Sequence, residues 1–147
     1  MSFQDASSVI RWRLHLASPP DAVYKLLNTD EGRARFWAES AIETEGIIHF
    51  IFPNGLEWKG QIIERTPSKR FTVVYIGGST TSFDLILDSA GGTDLTLTDA
   101  GVPDEDRAEV IAGWVSVLLA LKAAVDFNID LRNHDPSRTW DEGYVEN

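Results

Sequence analysis

The chain has 147 residues and is 43% hydrophobic and 24% charged, a balance that fits one globular domain and excludes a disordered chain. Its formal net charge is −10, so nucleic acid and anionic membranes, which are themselves negatively charged, are not expected as partners. No cysteine is present, which excludes disulfides and thiolate chemistry and makes a cytoplasmic location the natural expectation.

A strand and two short helices are predicted at the start of the chain. Apolar and polar residues alternate in SSVIRWRLHLAS, which is typical of a half-buried strand. The segment SPPDAVYKLLNTD predicts a helix with Ser18 as its N-cap and with Pro19 and Pro20 in its first turn. A second helix, DEGRARFW, is predicted to end at Phe36 and Trp37.

Six further strands are predicted between Ala41 and Thr98, where apolar runs alternate with turn residues. The segments PNG and AGG are hairpin signals. Because no helix separates the strands, neighbouring strands are expected to pair antiparallel. The six predicted strands are Ile42–Glu45, Ile47–Phe52, Leu56–Arg65, Phe71–Ile76, Thr80–Leu87 and Thr93–Thr98.

A long apolar helix is predicted in the last third of the chain, within DEDRAEVIAGWVSVLLALKAAVDF. Pro103 suits its first turn, and the acidic residues that follow favour the positive end of the helix dipole. Because Pro136 cannot continue the helix, the helix is expected to stop near Arg132 or Asn133. Its apolar face, with spacings of three and four, consists of Ile111, Trp114, Leu118, Leu121 and Val125.

The predicted organisation is a domain at residues 1–132 followed by a tail at residues 133–147. The tail contains Trp140 and Tyr144, and aromatic residues are uncommon in disordered segments. We therefore expect an ordered tail, with Trp140 packed on the domain or on a second protomer and Arg138 paired with an acidic neighbour. Such a tail would cover one mouth of a cavity or form a homodimer contact.

The order of these elements, from Val9 to Asp130, resembles the START/Bet v 1-like (SRPBCC) superfamily. ASPPDAVYKLLNTDEGRARFW is similar to the opening segment of that superfamily. GIIHFIFPNGLEWKGQIIERTPSKRFTVVY and GWVSVLLALKAAVD are similar to the strands and terminal helix of the branch of the heat-shock-protein-90 ATPase activator. Tyr24 differs, since the family usually has tryptophan there, and Thr29-Asp30-Glu31 replaces the usual Pro-Glu.

This resemblance implies an α+β helix-grip fold, with a seven-stranded antiparallel sheet around a long C-terminal helix and two short helices after strand 1. It also implies a cavity between helix and sheet that often binds an apolar or aromatic molecule. Aromatic residues at such positions are more often core packing than cavity wall, but small-ligand cavities use the same walls. Asn128 and Arg132 continue the helix face of Trp114 and are expected to close the far end. The predicted cavity residues are Trp12, Phe50, Trp58, Phe83, Trp114, Leu118, Asn128 and Arg132.

No catalytic residue, metal site or cofactor is predicted. His15 is expected on the surface, His49 on the outer face of the sheet and His134 in the tail, without metal-ligand spacing. No serine lies in a G-x-S-x-G motif, and the GG pairs lack the strand–helix context of a phosphate loop. Glu57 and Asp84 flank core positions and are expected to point outward.

Three functions therefore remain open. The first is a binding protein that holds a small hydrophobic or aromatic molecule in the cavity without catalysis, alone or as a homodimer. The second is an accessory protein that modulates a chaperone, although the relatives that stimulate the chaperone carry an additional domain. The third is an enzyme like the polyketide cyclases/aromatases, for which no acid–base pair is identified. The first function asks least of the sequence and is the expected one, so catalysis is not expected, and the other two functions stay as alternatives.

Overall fold

The computed structural model describes residues 3–5 and 7–147. A seven-stranded antiparallel sheet surrounds a long C-terminal helix, and two short helices follow the first strand, which confirms the predicted α+β helix-grip fold. In chain order the elements are β1 (Val9–Leu16), α1 (Pro20–Asn28), α2 (Asp30–Ala34), β2 (Ser40–Thr44), β3 (Ile47–Ile51), β4 (Glu57–Thr66), β5 (Arg70–Val74), β6 (Thr80–Leu87), β7 (Thr93–Ala100) and α3 (Arg107–Phe127).

The sheet has the strand order β1-β7-β6-β5-β4-β3-β2. All six strands predicted after the helices are present, with ends that shift by at most 2 residues. Consecutive strands from β2 to β7 pair as neighbours, whereas β1 pairs with β7, so that Val9 lies opposite Ala100. The register of β4 shifts between Ile62 and Glu64, and such a bulge bends the strand locally.

The start of α1 differs from the prediction. Pro19, which has no side-chain hydrogen bond, takes the N-cap position instead of Ser18, and Pro20 is the first helical residue. Ser18 is used elsewhere, because its hydroxyl donates to Asp126 in α3 at 2.7 Å. The Asp126 carboxylate also accepts from the amides of Ala17 and Ser18 at 3.0 Å. Burial favours a higher pKa for Asp126, but these donors keep the pKa below its ordinary value.

The C-terminal ends of α2 and α3 also differ from the prediction. Helix α2 ends at Ala34, and the turn that follows directs Trp37 into the core. Helix α3 ends at Phe127 and not near Arg132, because Asn128 adopts the left-handed conformation with φ 54°. Asparagine is one of the few residues that tolerate this conformation, and it ends helices for that reason.

A cluster of aromatic rings fills the centre of the core. Trp37 contacts the rings of Phe50, Tyr75, Phe83 and Trp114 at centroid distances of 4.9, 5.5, 5.2 and 6.1 Å. The indole Nε1 of Trp37 donates to the Tyr75 hydroxyl at 3.1 Å. Tilted and edge-on ring pairs at such distances add to the stabilisation from burial alone. Trp37 therefore joins α2, the sheet and α3.

The stretch Asp104–Phe127 is, by length and composition alone, apolar enough to cross a membrane. In the structure, however, one face of this stretch packs on the sheet, where Trp114, Leu118 and Leu121 are buried. The opposite face exposes apolar side chains, including Leu119. The stretch is thus the core helix of the domain.

Candidate ligand cavity

A cavity of about 390 Å³ lies at one end of the domain, between the first half of α3 and the sheet. Its walls come from the turn after α2, the β3–β4 and β5–β6 turns, the β7–α3 loop, α3 itself and the tail. The volume falls in the range of small-molecule sites in proteins.

Aromatic side chains form much of the cavity wall. Trp37, Tyr75 and Trp114 reach it from the central aromatic cluster, and Tyr75 and Trp114 lie 5.4 Å apart between ring centroids. The tail adds Trp140, whose ring lies over Gly113 of α3. A Cβ atom built on Gly113 would lie 3.7 Å from the Trp140 ring, an ordinary van der Waals distance, so the space between the helix and the tail at this glycine is no wider than about a methyl group.

One acidic side chain lies at the buried end of the cavity. Asp99, in β7, is 1% exposed and accepts hydrogen bonds from Trp114 Nε1 and from the Thr81 hydroxyl, both at 2.9 Å. Burial raises the pKa of the neighbouring Tyr75 hydroxyl. The hydrogen bond from Trp37 lowers this pKa, but the negative charge of Asp99 raises it further. The Tyr75 hydroxyl therefore keeps its proton at neutral pH.

Arg132 connects the tail to the turn after α2 and also reaches the cavity. Its guanidinium donates to the carbonyl of Ala38 at 2.8 Å and to that of Ala34 at 2.6 Å. It also forms a salt bridge with Asp130 at 3.0 Å. The buried guanidinium therefore donates hydrogen bonds both to the carbonyls of the turn after α2 and to Asp130.

His134 extends the same connection. It adopts a left-handed backbone conformation, and its two ring nitrogens lie 2.7 Å from Glu39 and from Asp130. Further along, Ser116 in α3 donates to the Val145 carbonyl at 2.7 Å. These contacts hold the segment after α3 against the domain. The boundary at residues 132 and 133 stays a prediction, as does packing on a partner protomer.

The contacts of His134 predict a pH-dependent contribution to stability. The hydrogen bonds to Asp130 and to Glu39 raise the pKa of His134, although burial alone would lower it. The protonated His134 therefore stabilises the folded state fully below pH 6.5, the pKa of histidine in the unfolded chain. This stabilisation is lost as the pH rises through the raised pKa of the folded state. Burial alone would raise the pKa of Asp130, but Arg132 and His134 lower it from 3.8 to about 2. The ionised Asp130 therefore stabilises the folded state above pH 3.8, and this stabilisation is lost as the pH falls towards 2. We expect His134→Gln to lower the melting temperature most between about pH 4 and pH 6.

Thermal unfolding from acid to alkaline pH checks this profile. The matched control is His15→Gln, because His15 is exposed on β1 and has no contact with the tail. A difference between the wild type and His134→Gln that stays constant, or that grows in alkaline solution, would contradict the expectation.

Two of the eight residues predicted to line the cavity, Trp114 and Arg132, reach it. Phe50 and Phe83 are fully buried behind it and contact Trp37. Phe50 and Phe83 therefore pack behind Trp37 and do not line the cavity.

The other four predicted residues lie away from this cavity. Leu118 is buried deeper along α3, and Trp12 donates from β1 to the carbonyl of Ile111 at 3.2 Å. Trp58 packs at the edge of the core, and its buried Nε1 is without a partner among the described residues. Asn128 is exposed, because α3 has already ended there. The lining set as a whole stays a prediction.

The residues predicted on the surface lie there. His15 has a 62% exposed side chain, and His49 pairs with Glu57 at 2.8 Å on the outer face of the sheet. Asp84 pairs with Arg70 at 2.7 Å on that same face. Within residues 3–5 and 7–147, His, Asp and Glu side chains form no group of three or more that could hold a metal ion. The expectation that no metal or cofactor takes part stays a prediction.

Asp99 is the main residue that the sequence reasoning missed. The signal was present, because Thr93, Leu95 and Leu97 alternate along β7 on the buried face, and the same period places Asp99 on that face. Tyr75 lies in the predicted strand Phe71–Ile76 but is not among the predicted cavity residues either.

The fold and cavity define the class, a START/Bet v 1-like (SRPBCC) helix-grip domain. Within that class, the chain belongs to the family described as "Activator of Hsp90 ATPase homolog 1-like protein", which matches residues 17–126. The resemblance read from the sequence is thereby confirmed. No curated protein matches the chain.

Solved structures show the same fold. The Aha1 dimer from Colwellia psychrerythraea is 23% identical, with a TM-score of 0.71, and the match covers 81% of this chain and 96% of that chain. The AHSA1-like protein from Aeromonas hydrophila is 19% identical, with a TM-score of 0.69, and the match covers 80% of this chain and 91% of that chain. DynU16, from the dynemicin biosynthetic locus, is 18% identical with a TM-score of 0.71, and the match covers 84% of this chain and 49% of DynU16. At these identities the likeness establishes the fold alone.

Proposed function

We propose that the protein binds a small hydrophobic or aromatic molecule in the cavity between α3 and the sheet, without catalysis. The observation that carries this proposal is the cavity of about 390 Å³ with Trp37, Tyr75 and Trp114 in its wall. A concave, largely aromatic site with few polar groups is the usual form of a small-molecule site. The dimer of the Colwellia relative supports a homodimer as a further part of the proposal, and a cytoplasmic location fits the absence of cysteine.

An enzyme like the polyketide cyclases/aromatases is the second candidate. The fold likeness to DynU16, together with the ionisable side chains of Tyr75 and Asp99 on one cavity, supports it. A role at a chaperone rests on the family name alone.

Filling the cavity should abolish ligand binding. We expect the wild type to bind the neutral fluorescent probe N-phenyl-1-naphthylamine, and Val117→Trp to bind it at least roughly tenfold more weakly, because Val117 lines the cavity. Fluorescence titration measures both affinities. The matched control is Val115→Trp on the same helix, because Val115 is 39% exposed on the outer face.

Two results would reject the proposed function. One is a wild type that binds neither this probe nor 4-phenylbutylamine, 4-phenylbutan-1-ol or 4-phenylbutanoate. The other is equal binding by the two tryptophan variants, since that would place the probe outside the cavity.

A further inference from the structure

Four carboxylates line the cavity, and no cationic side chain of residues 3–5 and 7–147 forms a salt bridge with them. Asp99 lies at the buried end, and Asp106, Glu109 and Asp141 are exposed where the β7–α3 loop, α3 and the tail approach one another. Because these four carboxylates share one cavity and no cation in the described part of the chain pairs with them, their negative charges make the cavity electronegative.

The cation that reaches the cavity does not neutralise them. Arg132 is bound to Asp130 and to the carbonyls of Ala34 and Ala38, and it forms no salt bridge with Asp99. Its positive charge is already balanced by Asp130. An acidic ligand would therefore be repelled, because it would enter beside four negative charges.

The wall of the cavity suits a cation with an apolar body. The faces of tryptophan and tyrosine rings attract ammonium groups through their quadrupoles, and Trp37, Trp114, Trp140 and Tyr75 are all in the wall. Each oxygen of Asp99 accepts one protein hydrogen bond, which leaves a second lone pair on each oxygen. An N–H group of a protonated amine can donate to these lone pairs.

We propose that the ligand of this cavity is a protonated amine with an apolar or aromatic body. The apolar body lies against the tryptophan rings, and the ammonium group donates to Asp99. Asp106, Glu109 and Asp141 attract the cation to the cavity. This inference rests on the proposed function, since it names the chemistry of the molecule that the cavity holds.

Three probes with one apolar body and different charges test the inference: 4-phenylbutylamine, 4-phenylbutan-1-ol and 4-phenylbutanoate. Tryptophan fluorescence or calorimetry at neutral pH gives their affinities. We expect the ammonium to bind roughly tenfold more tightly than the alcohol, and the carboxylate to bind most weakly. The preference for the ammonium should fall at high salt, because Asp106, Glu109 and Asp141 are exposed.

Variants then assign the charge preference to named residues. Asp99→Asn keeps the shape of the side chain and should bring ammonium and alcohol to similar affinities. If Asp99→Asn does not fold, the double variant Glu109→Gln/Asp141→Asn, at exposed positions, must still reduce the preference for the ammonium severalfold. The matched control is Asp21→Asn, because Asp21 is exposed in the first turn of α1 and is not on the cavity.

The outcomes separate this inference from the proposed function. Equal affinity of the wild type for ammonium and alcohol, or tighter binding of the carboxylate, overturns the inference and leaves the proposed function intact. Binding of N-phenyl-1-naphthylamine without binding of any phenylbutyl probe also overturns the inference alone. Failure of all four probes overturns both.

Discussion

Replacement of Trp37 by alanine is expected to lower the free energy of unfolding by about 4 kcal/mol. Trp37 is 3% exposed and contacts five aromatic rings, so its removal leaves a cavity at the point where α2, the sheet and α3 meet. The variant also deprives the Tyr75 hydroxyl of its donor. Equilibrium unfolding in urea measures the difference.

Two further variants make this expectation specific. Trp37→Phe keeps a ring but loses the hydrogen bond to Tyr75, and should cost about half as much as Trp37→Ala. Leu119→Ala removes an apolar side chain that is 50% exposed on α3, and should cost less than about 1 kcal/mol. A Trp37→Ala protein with wild-type stability would show that the ring cluster does not hold the layers together.

Replacement of Arg33 by alanine is expected to lower the free energy of unfolding by about 3 kcal/mol. Arg33 is fully buried, and its guanidinium donates to the carbonyls of Leu27 and Ala41 at 3.1 and 3.0 Å and to Asp30 at 2.6 Å. Burial lowers its pKa, while the Asp30 charge opposes this. Without Arg33, the two carbonyls lose their donor inside the protein.

Chemical denaturation of three variants separates burial from charge. Arg33→Met fills the space without the donors and should cost less than Arg33→Ala, because the packing is largely kept. The control, Arg138→Ala, breaks an exposed salt bridge with Asp135 and should cost no more than about 1 kcal/mol. Equal losses for Arg33→Ala and Arg138→Ala would show that the buried guanidinium contributes little.

The strands could be predicted because each has one buried face, so that apolar residues recur at every second position. The role of Arg33 could not be predicted, because arginine is rarely buried and its partners depend on how α2 meets β2. The end of α3 could not be predicted either. The sequence shows Pro136 as a helix breaker, but the structure ends the helix earlier at Asn128, through a local backbone conformation.

The cavity was harder to predict than the fold. Periodicity indicates which side chains point inward, but it does not say how far along α3 the packing stops and the open space begins. Trp114 and Leu118 share one face, yet only Trp114 reaches the cavity. The wall also depends on turns and on the tail, which come together only in three dimensions. Asp99 is not among the predicted residues, although the alternation in β7 is enough to place it on the buried face.

The pairing of β1 with β7 affects the order in which the protein assembles. During synthesis Val9 emerges early, but its partner Ala100 follows only after the other strands have been made. Strands β2 to β7 pair as successive hairpins and can form locally, whereas closing β1 onto β7 requires a long loop and costs more chain entropy. Until then, the edge of β7 that receives β1 stays unpaired and can bond to another chain. The nascent chain is therefore most prone to aggregation just before this last pairing forms.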